Sequence, residues 1–342
     1  MYQPYSLFTM NPQAFLKHLF FAVIIIGAFQ SCHKPAKQGT YQNDQIPADQ
    51  RKDFHEMTDE LMKGLKANKP ADLETMMAKE MLADPGRLRL IELISNRLKE
   101  GEYSVLDEFY IVHKMTDTGA QKLNVTTKGI NNYTYGYEIN SPEMYIAFFT
   151  PKSIPNQYMV TAEFCKLSYG WKLVKLDLGL YTINGKTAPE LFKIAKDRYD
   201  NKCLAMATAI AQQAGQCTTP AGTWQYPDVN AIGEFTNKAI EQTNKKYQFP
   251  YTVPQVSTQP WIFRIFSKKT PQGVFPQIYY ISHIKLADTN ALKKENTSIQ
   301  KVITKVIPGI DKDNKYIYYS AFKNMPDGSA AFDHFDMIEK LN

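Results

Sequence analysis

At 342 residues the chain is too long for a small disulfide-stapled scaffold and long enough for about two domains. Hydrophobic residues at 44% and charged residues at 22% match soluble globular proteins, which excludes wholesale disorder and a collagen-like repeat. The net charge of +6 is spread thinly: residues 50–187 carry 18 basic and 18 acidic side chains, and residues 215–342 carry 15 and 11. Lys245-Lys246, Lys268-Lys269 and Lys293-Lys294 are isolated pairs, not the concentrated basic face that nucleic-acid binding requires.

Residues 1–31 contain no Asp or Glu, and Lys17 is their only Lys or Arg. The apolar run at 19–28 (LFFAVIIIGA) is half the roughly 20 residues of a membrane-spanning helix, and a polar stretch containing Pro35 follows it. A basic n-region, a short apolar core and a small residue before the break describe a signal peptide. Residues 33–49 are polar and aperiodic, as a tether should be.

Ala28-Phe29-Gln30-Ser31-Cys32 resembles the lipobox of bacterial lipoproteins, in particular the Ser-Cys ending of lipoproteins of the Bacteroidota; Phe29 stands where Leu is usual. The resemblance implies lipidation of Cys32, cleavage before it, and a lipid-anchored envelope protein on the outer membrane, facing either side. The membrane is then a partner through the acyl chains, two or more of which give stable attachment. A plain secretory peptide, or a start at Met10, is the alternative reading of the leader.

Helical spacing then marks Phe54, Met57, Leu61 and Leu65, a second segment from Pro70 through Leu73, Met76, Met77 and Met81, and a third after Asp84-Pro85 through Leu88, Ile91, Ile94 and Leu98 to Gly101. From Tyr103 the period changes to two, placing Val105, Asp107, Phe109, Ile111, His113 and Met115 on one strand face. Further strands are expected near 122–127, 133–139, 144–150, 157–168 and 171–183. Helices followed by a run of strands predict an α+β domain over 50–187, with a curved antiparallel sheet packed on helices. This order, with the Gly170-Trp171-Lys172-Leu173-Val174 hairpin strand, resembles the NTF2-like cone fold.

Thr187-Ala188-Pro189-Glu190 is a capping box that launches one long connecting helix over 188–215. A Thr-, Pro- and Gly-rich loop at 217–227 is expected to separate it from a second α+β domain within 216–342. That domain reads as a helix from Asp228 to Lys246, strands near 259–267 and 276–287, a helix through Leu292, Ile299 and Val306, and strands near 315–322 and 330–337. Cys203 reads as mid-helix and Cys217 as beyond the helix end, roughly 20 Å apart at 1.5 Å per residue, so free thiols are expected for these and Cys165.

No HExxH, GxSxG, GxGxxG or CxxC occurs, and Asn184-Gly185-Lys186-Thr187 has Leu180 where a phosphate loop needs its first glycine. No cofactor or metal is therefore implied. The NTF2-like resemblance implies a concave interior with Asp/His or Glu/His pairs as general acid–base groups. Asp107, His113, Glu163 and Asp177 are the candidates, although Asp107 and His113 lie about 20 Å apart along the strand. Tyr133, Tyr135 and Tyr137 alternate on one face, either as cross-strand packing or as an aromatic platform for a ligand. His55 and Asp59, four apart on the first helix, read as a solvated face, and Asp311-Lys312-Asp313-Asn314 as a turn. The expected role is an envelope lipoprotein that binds a ligand or partner, with an NTF2-like hydrolase or isomerase using His113 as the alternative.

Overall fold

The computed structural model describes residues 37–114, 116–326 and 333–341. Contacts divide the chain into Met1–Gly39 and Thr40–Asn342. The leader and Cys32 lie outside the described residues. Among the described residues no helix is long and apolar enough to cross a membrane. The fold is mixed α+β, with nine α-helices and three sheets among those residues.

The first sheet has the order β1-β2-β5-β6-β7. Its strands are β1 (Gly39–Gln42), β2 (Tyr103–Val112), β5 (Glu143–Pro151), β6 (Gln157–Leu167) and β7 (Gly170–Thr182). Strands β2, β5, β6 and β7 pair antiparallel in that order. Between β1 and β2 lie the helices α1 (Ala48–Ala67), α2 (Pro70–Leu73), α3 (Lys79–Ala83) and α4 (Arg87–Leu98). In α1, Phe54, Thr58, Leu61 and Leu65 form one buried stripe at three- and four-residue spacing, and Asn68 in the left-handed region ends the helix. The stripe meets the sheet through Phe54, which stacks on Tyr145 at 4.2 Å between centroids and meets Trp171 edge-on.

Both faces of this sheet are covered, so β5 reads as an unbroken apolar run, with residues 144–149 all 4% exposed or less. The face away from α1 carries Phe109, Ile111, Met144, Ile146 and Phe148. It is covered by a small sheet of β3 (Ala120–Val125), β4 (Tyr133–Glu138) and β8 (Trp224–Gln225), and by residues from α5 (Ala188–Asp200), α6 (Leu204–Gln216) and α7 (Val229–Lys246).

Four expectations are corrected. The tether expected over 33–49 is structured from Gly39: β1 joins the first sheet beside β2, Ile46 is buried, and the Gln42 and Asn43 side-chain amides donate to Asp107. The helix expected over 188–215 is two helices packed against each other, α5 and α6. Lys202 takes φ 62°, Cys203 N–H donates to Arg198 O at 2.8 Å, and Lys202 N–H donates to Tyr199 O at 2.9 Å. These two bonds are the 6→1 and 5→2 pattern of a Schellman stop, made here with lysine in place of glycine. Cys203 is therefore the N-cap of α6 and Cys217 its C-cap. A helix length still separates the two, and all three described cysteines are free and buried. Burial pushes the Cys165 thiol up to about 11 and the Cys217 thiol up to about 12.

The 217–227 segment, expected to be a loose separator, packs one side into the first core. Cys217, Ala221, Trp224 and Tyr226 are each 2% exposed or less, and Trp224 pairs with Tyr135 in the small sheet. The alternation along β2 also breaks. Register shifts between Val105 and Asp107, so Val105 pairs with Phe149 and Asp107 with Phe148, and the strand ends at Val112 before His113. Met115 lies outside the described residues.

Gly179 explains why the 217–227 segment seats so closely. A Cβ there would lie 2.2 Å from the carbonyl oxygen of Pro220 and 2.6 Å from its carbonyl carbon. Gly179→Ala should therefore push the segment off the sheet and cost about 1–3 kcal/mol in urea unfolding, as overpacking does. A stability unchanged within about 0.5 kcal/mol would mean that the contact relaxes freely.

The second sheet has the order β13-β12-β11-β10-β9. After β9 (Tyr251–Thr252), β10 (Trp261–Thr270) and β11 (Gly273–Ile281) form an antiparallel hairpin. A crossover through α8 (Thr289–Gln300) and α9 (Ile303–Val306) leads to β12 (Tyr316–Phe322), which pairs parallel with β11; β13 (His334–Lys340) closes the far edge. Leu292, Ile299 and Ile303 pack with Ile278, Tyr280, Ile317 and Tyr319 in a core of their own.

Candidate functional site

The row Asp107, Phe148, Thr161 and Asp177 runs in register across four strands, and Phe109, Ile146, Glu163 and Lys175 form the next row on the same face. Three of the predicted acids thus share one face of the first sheet. The predicted tyrosines lie directly over them. Tyr133 O–H donates to Asp107 at 2.8 Å and Tyr135 O–H donates to Glu163 at 2.6 Å. Glu163 also accepts from Lys175 Nζ at 2.8 Å, and Asp177 accepts from Gly222 N–H at 2.7 Å. Tyr133, Tyr135 and Tyr137 are 3%, 0% and 7% exposed, and Trp224 stacks on Tyr133 at 3.5 Å. Burial and the neighbouring carboxylates drive the Tyr133 and Tyr135 phenols far above their ordinary range, so they stay protonated donors. Asp107 also accepts from the side-chain amides of Gln42 at 3.1 Å and Asn43 at 2.8 Å, so each of the three acids is engaged by neighbouring donors.

His113 stands apart from them. Its ring lies 5.7 Å from that of Tyr137, and its Nε2 is buried with no hydrogen-bond partner. Desolvation lowers its pKa, with Asp117 opposing. The imidazole therefore favours the neutral form, and stability contributed by that preference is lost as pH falls through the ordinary histidine range.

On the opposite face, the structure assembles a centre that the strand pattern did not reveal. Glu108 is fully buried and accepts from Arg51 Nε at 2.6 Å and Tyr145 O–H at 2.7 Å. His55 Nε2 lies 3.0 Å from both of its carboxylate oxygens. His55 is thus tied to the sheet and not simply solvated. Arg51 also reaches Asp44. The available signal was a carboxylate within an apolar strand run, together with two basic groups four apart beside the buried stripe of α1.

A concavity lies elsewhere, between α5, α6 and α7 on one side and β10 with β11 on the other. It encloses about 1190 Å³. Ile194, Ile210 and Ile240 from the three helices and Ile265 and Phe266 from β10 supply apolar wall. Helix α6 is joined to α7 by a Thr208–Thr243 hydroxyl contact at 2.8 Å, and to β10 by Gln213 Nε2 donating to Ser267 Oγ at 3.2 Å. One end is fixed by Asn184, at φ 53° in the Asn-Gly turn. Its amide donates to Val274 O at 2.8 Å and accepts from Val274 N–H at 2.7 Å, as a strand residue would. At the other end Arg198 is held by Asp197 at 2.6 Å and by Asp313. The turn expected at Asp311-Lys312-Asp313-Asn314 thus supplies a wall of the cleft. Apart from the two turns at 184–187 and 311–314, no sequence motif marked these residues, because their spacing is that of ordinary amphipathic elements.

Among the described residues no cluster of three or more His, Cys, Asp or Glu side chains is arranged to hold a metal ion. The chain matches no protein-family profile, no curated protein and no solved structure.

Proposed function

We propose that this protein is a lipid-anchored protein of the bacterial cell envelope, of the Bacteroidota type, that binds a ligand in the cleft between its α5–α7 helices and its second sheet. The observation that carries the binding role is the cleft itself. Its volume lies above the roughly 300–1,000 Å³ of small-molecule sites, and its lining mixes apolar side chains such as Ile194, Ile210 and Ile240 with polar ones such as Thr208, Gln213 and Arg264. The anchor is supported by the acid-free leader, its ten-residue apolar core and Ser31-Cys32. We further propose an NTF2-like unit over 50–187, supported by the helices-then-strands order, and a second α+β unit built on β9–β13, supported by its separate core; it is smaller than the expected 216–342 because 217–246 packs on the first core. Binding is preferred to catalysis by His113 because Glu163 and Asp177, its candidate acidic partners, are engaged by Lys175, Tyr135 and Gly222.

Two measurements on the full chain test this. Intact mass after membrane extraction should show a chain that begins at Cys32 with added acyl mass, and Cys32→Ser should release the protein from membranes; an unmodified soluble chain would refute the anchor. In a thermal-shift screen of envelope metabolites and lipids, stabilising compounds should lose their effect in Ile240→Glu, which places a charge on the cleft wall. Stabilisation that survives Ile240→Glu would put the ligand elsewhere.

A further inference from the structure

The charges along the cleft are unevenly spent. Its lining holds five cationic side chains against three carboxylates. Each carboxylate has an internal role: Glu190 accepts from Thr187 N–H at 2.9 Å in the capping box, and Asp197 and Asp313 both hold Arg198. Lys186, Lys193, Arg264 and Lys312 have no carboxylate partner among the described residues. Arg264 is the one set against the apolar wall, its guanidinium carbon 5.1 Å from the centroid of Phe266. A guanidinium in that position retains its in-plane donors for a carboxylate or phosphate while its face rests on the ring.

The shape complements the charge. Lining positions on α6 run from Ala205 to Gln213, and those on α5 from Glu190 to Arg198. Eight residue steps on each helix span about 12 Å, so the cleft is long as well as large. Ile194, Ile210 and Ile240 lie on this path, each only partly covered by protein.

Taking the cleft as the binding site, we infer that its ligand is a single-chain amphiphile with an anionic head, the head held at Arg264 and the chain laid along α6. A purely ionic ligand would leave the isoleucine path unfilled, and a neutral one would make no use of the exposed Arg264 guanidinium.

The test is a titration of the delipidated full chain with cis-parinaric acid, a fluorescent polyene fatty acid, followed by competition. Saturable binding is expected, with displacement by oleate and by oleoyl lysophosphatidate, and none by oleyl alcohol or citrate at the same concentration. The stronger of the two anionic competitors identifies a carboxylate or a phosphate head. Arg264→Gln should weaken oleate binding about tenfold or more, as loss of a charge-assisted pair does, and Arg264→Lys should weaken it less. Equal competition by oleyl alcohol, or by citrate, would overturn the amphiphile while leaving a ligand-binding cleft in place. Oleate binding unchanged in both Arg264→Gln and Ile240→Glu would remove the cleft reading as well. Absence of saturable binding, with the thermal-shift hits still sensitive to Ile240→Glu, would overturn the amphiphile alone.

Discussion

Replacing Trp224 with alanine is expected to destabilise the protein by about 3–5 kcal/mol, the range for truncating a buried tryptophan. Trp224 is 1% exposed and meets four rings in the first core: it stacks on Tyr133 and meets Phe148, Tyr181 and Tyr226 edge-on. Its loss would open a cavity directly under the Tyr133–Asp107 bond and free the 217–227 segment from the sheet. Urea unfolding should show a lower midpoint with little change in slope, and limited proteolysis should begin to cut within 217–227. Trp224→Phe should recover much of the loss, because a phenyl ring can keep much of the stacking on Tyr133 and the edge contact with Phe148. A loss below about 1 kcal/mol for the alanine variant would show that the segment is not part of the core.

The second large effect is expected at Glu108. Removing this carboxylate leaves the buried Tyr145 hydroxyl without its acceptor and leaves Arg51 and His55 facing an apolar strand. Breaking a buried pair from one side costs about 3–5 kcal/mol. Arg51 and His55, at 31% and 41% side-chain exposure, can turn toward water, so Glu108→Ala should fall near the lower end, about 3 kcal/mol. In a Tyr145→Phe background the same substitution should cost less, since one stranded donor is gone; a double-mutant cycle reads that difference. Additive losses would mean that the tyrosine hydroxyl and the carboxylate are not coupled.

The elements themselves were legible to within a few residues wherever the side-chain period was long and clean. The strands expected near 133–139, 144–150, 157–168 and 171–183 occur at 133–138, 143–151, 157–167 and 170–182. The Thr187 capping box and the helix from Asp228 to Lys246 also follow from local chemistry. The break between α5 and α6 was not legible. Its stop signal is normally glycine, and here Lys202 takes the left-handed conformation. The 217–227 segment has the composition of a surface loop, yet Gly179 and Gly222 let it approach the sheet closely enough to become core.

Sequence alone determined most of the secondary structure, the α+β class, the acid-free leader and the scarcity of catalytic motifs, because all of these depend on residues close together along the chain. Tertiary structure decided what the marked residues do. Tyr133, Tyr135, Asp107 and Glu163 were selected as candidates by type and alternation, and only the pairing of β4 over the first sheet turns them into a satisfied interior network. Conversely, Arg264, Phe266, Ile210 and Ile240 carry no motif, and they become walls of one cleft only because α6, α7 and β10 converge. A side chain's burial and its partner are set by contacts distant in sequence, and the periodicity of a single element carries no record of what that element packs against.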